Sequence, residues 1–255
     1  MQDVDRAKKP IEKSCFFFTM HKAASTFVGH LLSRTFQSAG YGALDISAES
    51  FTAGVTEVDY VCCNRHRLLD ANMFYGPFRS ETALAVPLEL PEQLVVHVRD
   101  PRDCVVSMYY SICFSHSLPG EGPARHEFLE WREKYREKGI DFFCMEGIER
   151  NYRALGIMRE VVQRRPDAVL SYYERLVASP ADWFVDVTTR LGISRNETPQ
   201  ISSLDEKEFV VLEDKFSHKR QVTPGDYKRK LKKETQIALS DHMKHDLQFF
   251  GYSFN

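Results

Sequence analysis

Lys22, Ser25 and Thr26 stand close together after an apolar run, in the stretch FFFTMHKAASTF of residues 16–27. A buried strand that feeds a tight turn and a helix start has this pattern. The N–H groups of such a turn and the positive end of the helix dipole favour an anion. Lys22 adds a mobile cation, and the hydroxyls of Ser25 and Thr26 can cap the helix or donate to phosphate oxygens. Ala23, Ala24 and Phe27 complete this loop. No glycine lies between Phe16 and Val28, so this is not the G-x-x-x-x-G-K-[ST] nucleotide loop. A glycine-poor turn wraps less backbone around its ligand and suits one phosphate-sized group better than a triphosphate.

Residues 93–111 read QLVVHVRDPRDCVVSMYYS. Leu94–Val98 has the composition of a short buried strand, which Arg99-Asp100-Pro101 ends. Asp103 suits the start of the following helix. Arg99 and Ser107 lie eight residues apart, at a strand end and on the next helix. Both can reach one phosphate, the arginine as a bidentate fork. The plainer alternatives are an Arg99–Asp100 ion pair and an ordinary helix serine.

Together the two segments resemble the sulfotransferases that use 3′-phosphoadenosine 5′-phosphosulfate (PAPS). That family carries Lys-small-Gly-Thr-Thr/Ser after its first strand; this chain has Lys22, Ala23, Ala24, Ser25 and Thr26. The family's 3′-phosphate segment is Arg-Asp/Asn-Pro-x-Asp with a serine eight residues past the arginine, matched by Arg99 to Asp103 and Ser107. LSYYERL at 170–176 looks like the family's Tyr-Glu-Asp-Leu element, which makes Tyr173 the adenine-side candidate; a core tyrosine is the alternative. FSHKRQVTPGDYKRKL at 216–231 resembles the late basic loop that closes over the 3′-phosphate, with Lys219 and Arg220 at its basic pair. Two departures stand out: Ala24 where glycine is usual, and no glycine after the basic pair.

The resemblance implies a polar extension over 1–12 and one sulfotransferase domain over 13–255. It implies PAPS as donor, 3′-phosphoadenosine 5′-phosphate (PAP) as product, no metal, and a small-molecule hydroxyl acceptor; a homodimer is left open. Lys22 would stabilise charge on the departing bridging oxygen. Arg99, Ser107, Lys219 and Arg220 would hold the 3′-phosphate. Cytosolic members take the acceptor proton with a histidine about 22 residues before the arginine, but FYGPFRSETALAV at 74–86 has none. The candidates for the base are then His66, ranked first at an expected strand end, His116 in a loop, and Glu81, with Arg79 lining the acceptor pocket. A solvated surface role is the alternative for each.

The elements that must position these groups alternate along the chain. Cys15–Thr19, Thr56–Cys63, Asn72–Tyr75, Leu94–Val98 and Val169–Tyr172 read as strands. Thr26–Ser38, Arg102–Phe114, Glu127–Lys138, Glu146–Arg164, Ala181–Leu191 and a long Tyr227–Phe250 read as helices. Alternation predicts an α/β fold, a mostly parallel sheet with helices on both faces. Ligands in such sheets bind past the carboxyl ends of strands, where Lys22, Arg99 and Tyr173 fall. Ser115–Arg125 reads as a surface loop that could cover the acceptor.

At 255 residues the chain can form one large domain, and a hydrophobic content of 43% is ordinary for a globular protein. A net charge of −2 argues against a nucleic-acid surface. The six cysteines make no C-x-x-C pair, and no apolar run reaches the length of a membrane span. A reduced, cytoplasmic enzyme without membrane attachment is expected. Two other classes stay open: a P-loop-type small-molecule or nucleotide kinase, and a non-catalytic PAPS- or PAP-binding protein of the same fold.

Overall fold

The computed structural model describes residues 13–89, 92–118, 120–193 and 223–254. Strands Cys15–Thr19 (β1), Gly42–Asp45 (β2), Met73–Arg79 (β3), Gln93–Val98 (β4) and Val169–Tyr172 (β5) form one sheet in the order β2-β3-β1-β4-β5. Every neighbouring pair is parallel. Parallel neighbours need crossover connections, and the helices supply them. These are α1 (Ser25–Ser38), α2 (Ile46–Ala53), α3 (Glu57–Cys63), α4 (Glu81–Leu84), α5 (Pro101–Tyr110), α6 (Pro123–Lys138), α7 (Ile140–Glu146) and α8 (Ile148–Arg164). After β5 follow α9 (Tyr173–Ala178), α10 (Pro180–Arg190), α11 (Asp226–Lys230), α12 (Lys233–His242) and α13 (Lys244–Phe249).

β1 is central and wholly buried, which is why its sequence is apolar without alternation. Its side chains still alternate between faces. Phe16 and Phe18 join one core with residues of α3, α5, α7, α8, α12 and α13. Cys15 and Phe17 join a second core with α1 and α10, around Phe36 and Trp183. Burying each such aromatic side chain is worth roughly 1.5–3 kcal/mol, so the strand that delivers the Lys22 loop is held from both sides. No helix among the described residues is long and apolar enough to cross a membrane.

Several sequence expectations are corrected. Thr56–Cys63 is not a strand: Thr56 accepts the Asp59 N–H at 3.1 Å as an N-cap, and α3 follows. The missing strand is β2, a four-residue edge too short to show a period. The helix expected over Tyr227–Phe250 is α11, α12 and α13, broken at Leu231, whose backbone is extended, and at Met243. Leu239 is fully buried there, while Ala238 is only half-buried. Glu146–Arg164 divides at Gly147. The Arg102–Phe114 helix ends in a π-helical turn over Ser111–Ser115. α6 starts at Pro123, which shortens the expected surface loop.

Candidate active site

The turn between β1 and α1 carries Lys22 at φ 65° and Ala24 at φ 58°, two left-handed residues around a fully buried Ala23. Ala24 is the N-cap of α1 and its side chain makes no cap hydrogen bond. The first turn of α1 also lacks an acidic residue. The helix therefore opens with its first N–H groups and its positive dipole end uncompensated by a carboxylate.

Arg99 reaches this turn from the end of β4. Its Nη1 donates to the Lys22 carbonyl at 2.8 Å, and its guanidinium lies 4.1 Å from the ring centroid of Tyr173. Arg99 and Tyr173 are each 4% exposed. Arg99 Nε is buried with no hydrogen-bond partner. Burial lowers the Lys22 ammonium pKa; Cys104 opposes this, and Arg99 and Arg79 add to it. Three cations thus crowd one turn, and an incoming anion would relieve their repulsion.

The Arg99–Asp100 ion pair, the plainer alternative, is not what forms. Asp100 takes Arg102 bidentately, Oδ1 from Nε at 2.9 Å and Oδ2 from Nη2 at 2.7 Å. Asp100 also caps α5 through the Arg102 N–H. Arg102 is buried and donates onward to Ser240 Oγ and the Ser253 carbonyl, and its guanidinium lies over the Tyr227 ring. Asp103 accepts the N–H of Gly225 at 2.7 Å and of Tyr227 at 2.9 Å. Burial pushes the Asp103 carboxyl above the usual range, with Arg99 pulling the other way. Gly225 needs its φ of 86° for this turn, a conformation that suits glycine. Glu174 accepts the Asp100 N–H at 2.9 Å and the Tyr252 hydroxyl at 3.1 Å. Ser107 lies half-buried on α5.

Behind the turn, His97 is fully buried, with its Nδ1 2.9 Å from Ser171 Oγ. Ser171 accepts the Trp183 indole N–H at 2.8 Å. The other ring nitrogen of His97 lies against Ala23 without a hydrogen bond of ordinary geometry. A polar chain thus runs from α10 through β5 and β4 to the underside of the Lys22 turn.

Arg79 was expected to line an acceptor pocket. The structure instead ties it to the start of α1 and to α2 and α3. Its Nε donates to Ser25 Oγ at 2.8 Å and its Nη2 to Thr26 Oγ1 at 3.3 Å, while Nη1 meets Glu57 and Ser47. Ser25 and Thr26 accept here, which leaves each O–H as a donor. Glu57 also accepts from Ser47 at 2.6 Å and lies 3.4 Å from Thr82 Oγ1. Glu81 opens α4, two residues past Arg79.

His66 loses its expected placement at a strand end. It sits exposed in a 3-10 turn over Arg65–Leu68, after α3. His116 is exposed too; its carbonyl accepts from Arg132 of α6 at 2.7 Å, and its ring packs on Phe128. Lys219 and Arg220 lie outside the described residues.

Sequence reasoning passed over His21, Glu57 and the His97 chain around the Lys22 turn, and read Asp103 as a helix start rather than as the anchor of the Gly225 turn. His21 follows β1 and directly precedes Lys22. The residue is exposed, yet protein crowded around it lowers its pKa by desolvation; Arg79 and Lys22 act in the same sense, and Glu57 and Glu81 oppose. Its adjacency to Lys22 was the available signal. Glu57 was hidden by the strand assignment of its segment.

No protein-family model matches the chain, and no curated protein does. Solved structures match its fold. The mouse sulfotransferase SULT7A1, complexed with PAP, is 12% identical with a TM-score of 0.57, over 92% of this chain and 85% of its own. A retinol dehydratase in complex with retinol and PAP is 14% identical with a TM-score of 0.51, over 92% of this chain and 81% of its own. The chain has the α/β fold of these PAP-complexed proteins.

Proposed function

We propose that the protein is a sulfotransferase, moving a sulfuryl group from PAPS to a hydroxyl of a small-molecule acceptor and releasing PAP. The observation that carries this reading is the meeting of Lys22 and Arg99 at the uncapped start of α1, where Arg99 holds the Lys22 carbonyl at 2.8 Å. Two segments 77 residues apart in sequence thereby build one cationic turn. The fold shared with PAP-complexed proteins supports the nucleotide.

In this reading the turn at Lys22, Ala23, Ala24, Ser25, Thr26 and Phe27 receives the phosphosulfate. Sulfuryl transfer, like phosphoryl transfer, depends mainly on in-line positioning and on stabilising charge as it develops. Lys22 and the α1 N–H groups face the departing phosphate oxygen and stabilise its charge. Arg99 and Ser107 take the 3′-phosphate, and Tyr173 backs the Arg99 guanidinium. Lys219 and Arg220 supply further positive charge for the same phosphate. Arg79 holds the turn in shape through Ser25 and Thr26. Retinol, bound with PAP in the dehydratase, exemplifies an apolar alcohol that such a fold accommodates.

Calorimetric titration with PAP tests the nucleotide, with AMP as the control that lacks the 3′-phosphate. PAP should bind and AMP should bind far more weakly. Lys22→Ala should lower labelled-sulfate transfer from PAPS to 4-nitrophenol by about 100- to 1000-fold while PAP affinity changes little. Failure of PAP to bind rejects the reading, and equal loss of binding and turnover rejects the role of Lys22.

A further inference from the structure

We infer that His21 is the base that receives the proton of the acceptor hydroxyl, set beside Lys22 at the carboxyl edge of the sheet, next to the strand end that carries Arg79. This rests on the sulfuryl-transfer reading and adds the residue which that reading lacks.

The geometry begins with sheet register. Thr19 of β1 pairs with Arg79 of β3, and the Ser80 N–H donates to the Thr19 carbonyl at 3.0 Å. His21 and Glu81 are each two residues past that pair, so they leave adjacent parallel strands side by side at the carboxyl edge of the sheet. Glu57 of α3 is held by that same Arg79 and by Ser47. His21 thus adjoins the Lys22 turn through the chain and lies next to the strand that carries Arg79 and leads into Glu81. An acceptor hydroxyl approaching a sulfuryl group at Lys22 arrives within reach of the preceding residue.

The other described histidines are placed for other work. His97 is buried on Ser171. His30 pairs with Asp45 at 3.6 Å, and His126 with Glu130 at 3.2 Å. His66 is exposed after α3, His116 packs on Phe128, and His242 and His245 belong to α12 and α13.

The charged groups that act on the His21 ring are Arg79 from β3, Glu57 from α3, Glu81 from α4 and Lys22 from its own turn. Surrounding protein and the two cations bias the ring toward its neutral form, which leaves a nitrogen lone pair to accept. The carboxylates stabilise the imidazolium once it forms. In the step, the acceptor oxygen's lone pair makes the new O–S bond. The S–O bond to the 5′-phosphate breaks and its electron pair stays on the phosphate oxygen. The hydroxyl proton passes to His21, and water removes it after product leaves.

Three measurements test this on the full chain, with His21→Ala and with His21→Gln, which keeps hydrogen bonding without basicity. Calorimetry with PAP comes first; no binding by the parent chain defeats the sulfotransferase reading itself, whereas equal binding by parent and variants shows that the site is intact. Ring-nitrogen NMR titration comes second, the His21 signal being identified by its loss in His21→Gln. Expected are a pKa below that of a free histidine and a shift of the ring signals when PAP is added. A pKa at or above the free value, or unmoved signals at saturating PAP, overturns the assignment. Labelled-sulfate transfer from PAPS to 4-nitrophenol and to water comes third. A fall of about 100-fold or more in both variants, with PAP affinity kept, is expected. Turnover in the variants equal to the parent, or a comparable fall in His66→Ala alone, overturns it while leaving the sulfotransferase reading standing.

Discussion

At Ala24 a methyl group occupies a backbone position that glycine takes without penalty. Its φ of 58° and ψ of 28° are left-handed, which costs a residue with a Cβ about 1–2 kcal/mol. Lys22 adopts the same sign of φ, so the turn carries two such residues. Its neighbours hold it there: Arg99 on the Lys22 carbonyl, and the Val28 N–H on the Ala24 carbonyl at 3.0 Å. Strain of this kind persists only where surrounding structure over-determines it. Ala24→Gly should therefore raise the unfolding free energy in urea by roughly 1 kcal/mol, less than the full strain because glycine gains freedom in the unfolded chain. A lower midpoint would show that the methyl group's packing outweighs the strain. The departure at Ala24 was legible in the sequence, but its conformation was not. Alanine does not favour φ above zero, and the bond that enforces it comes from Arg99, far along the chain. The same holds for Arg79, whose partners Ser25 and Glu57 lie 54 and 22 residues away.

Element by element, local signals were legible and long-range ones were not. Asp100 at the start of α5 and the proline after it are short-range features, and the structure keeps both. What Arg102 contacts could not be read, since Ser240 and Ser253 lie 138 and 151 residues away. α3 was misread because Val58, Tyr60 and Cys62 alternate as a strand would, while the Thr56 cap decides for helix. Asp103 is the element-scale joint: from α5 it pins the turn that opens α11, just beyond the segment with Lys219 and Arg220. Asp103→Ala leaves two N–H groups without their carboxylate. It should cost about 2–3 kcal/mol of stability by urea unfolding, because lost charge-assisted bonds outweigh relief of one buried carboxyl. PAP affinity should fall as well. Unchanged affinity beside reduced stability would separate the α11 turn from nucleotide binding.

For the whole molecule, the fold class was legible because a parallel sheet buries both faces and writes continuous apolar strands. Strand order was not, since it depends on which crossovers pack where. The chain from Trp183 through Ser171 to His97 joins α10, β5 and β4, and it gives the fold a pH dependence. Burial holds the His97 ring neutral and pulls its pKa down to about 3, against 6.5 for a free histidine. Between those values the unfolded chain binds the proton and the folded one does not. The His97 contribution is therefore present above pH 6.5 and is lost as pH falls toward 3, by up to about 1.4 kcal/mol per pH unit. His97→Gln removes the ionisable ring, so unfolding free energies of parent and variant should converge as pH is lowered from 7 to 4. Asp103 and Glu174, whose pKa values burial raises, act in the opposite sense and cancel in this difference. Parallel curves would show that His97 is not held neutral.

Tyr252 and Ser253 are wired into the end of the sheet that carries Arg99. Ser253 offers its carbonyl to Arg102, and Tyr252 its hydroxyl to Glu174, which in turn takes the N–H of Asp100 beside Arg99. A change at Tyr252 or Ser253 would therefore be passed through Glu174 and Arg102 to the backbone beside Arg99, from a distant part of the polypeptide.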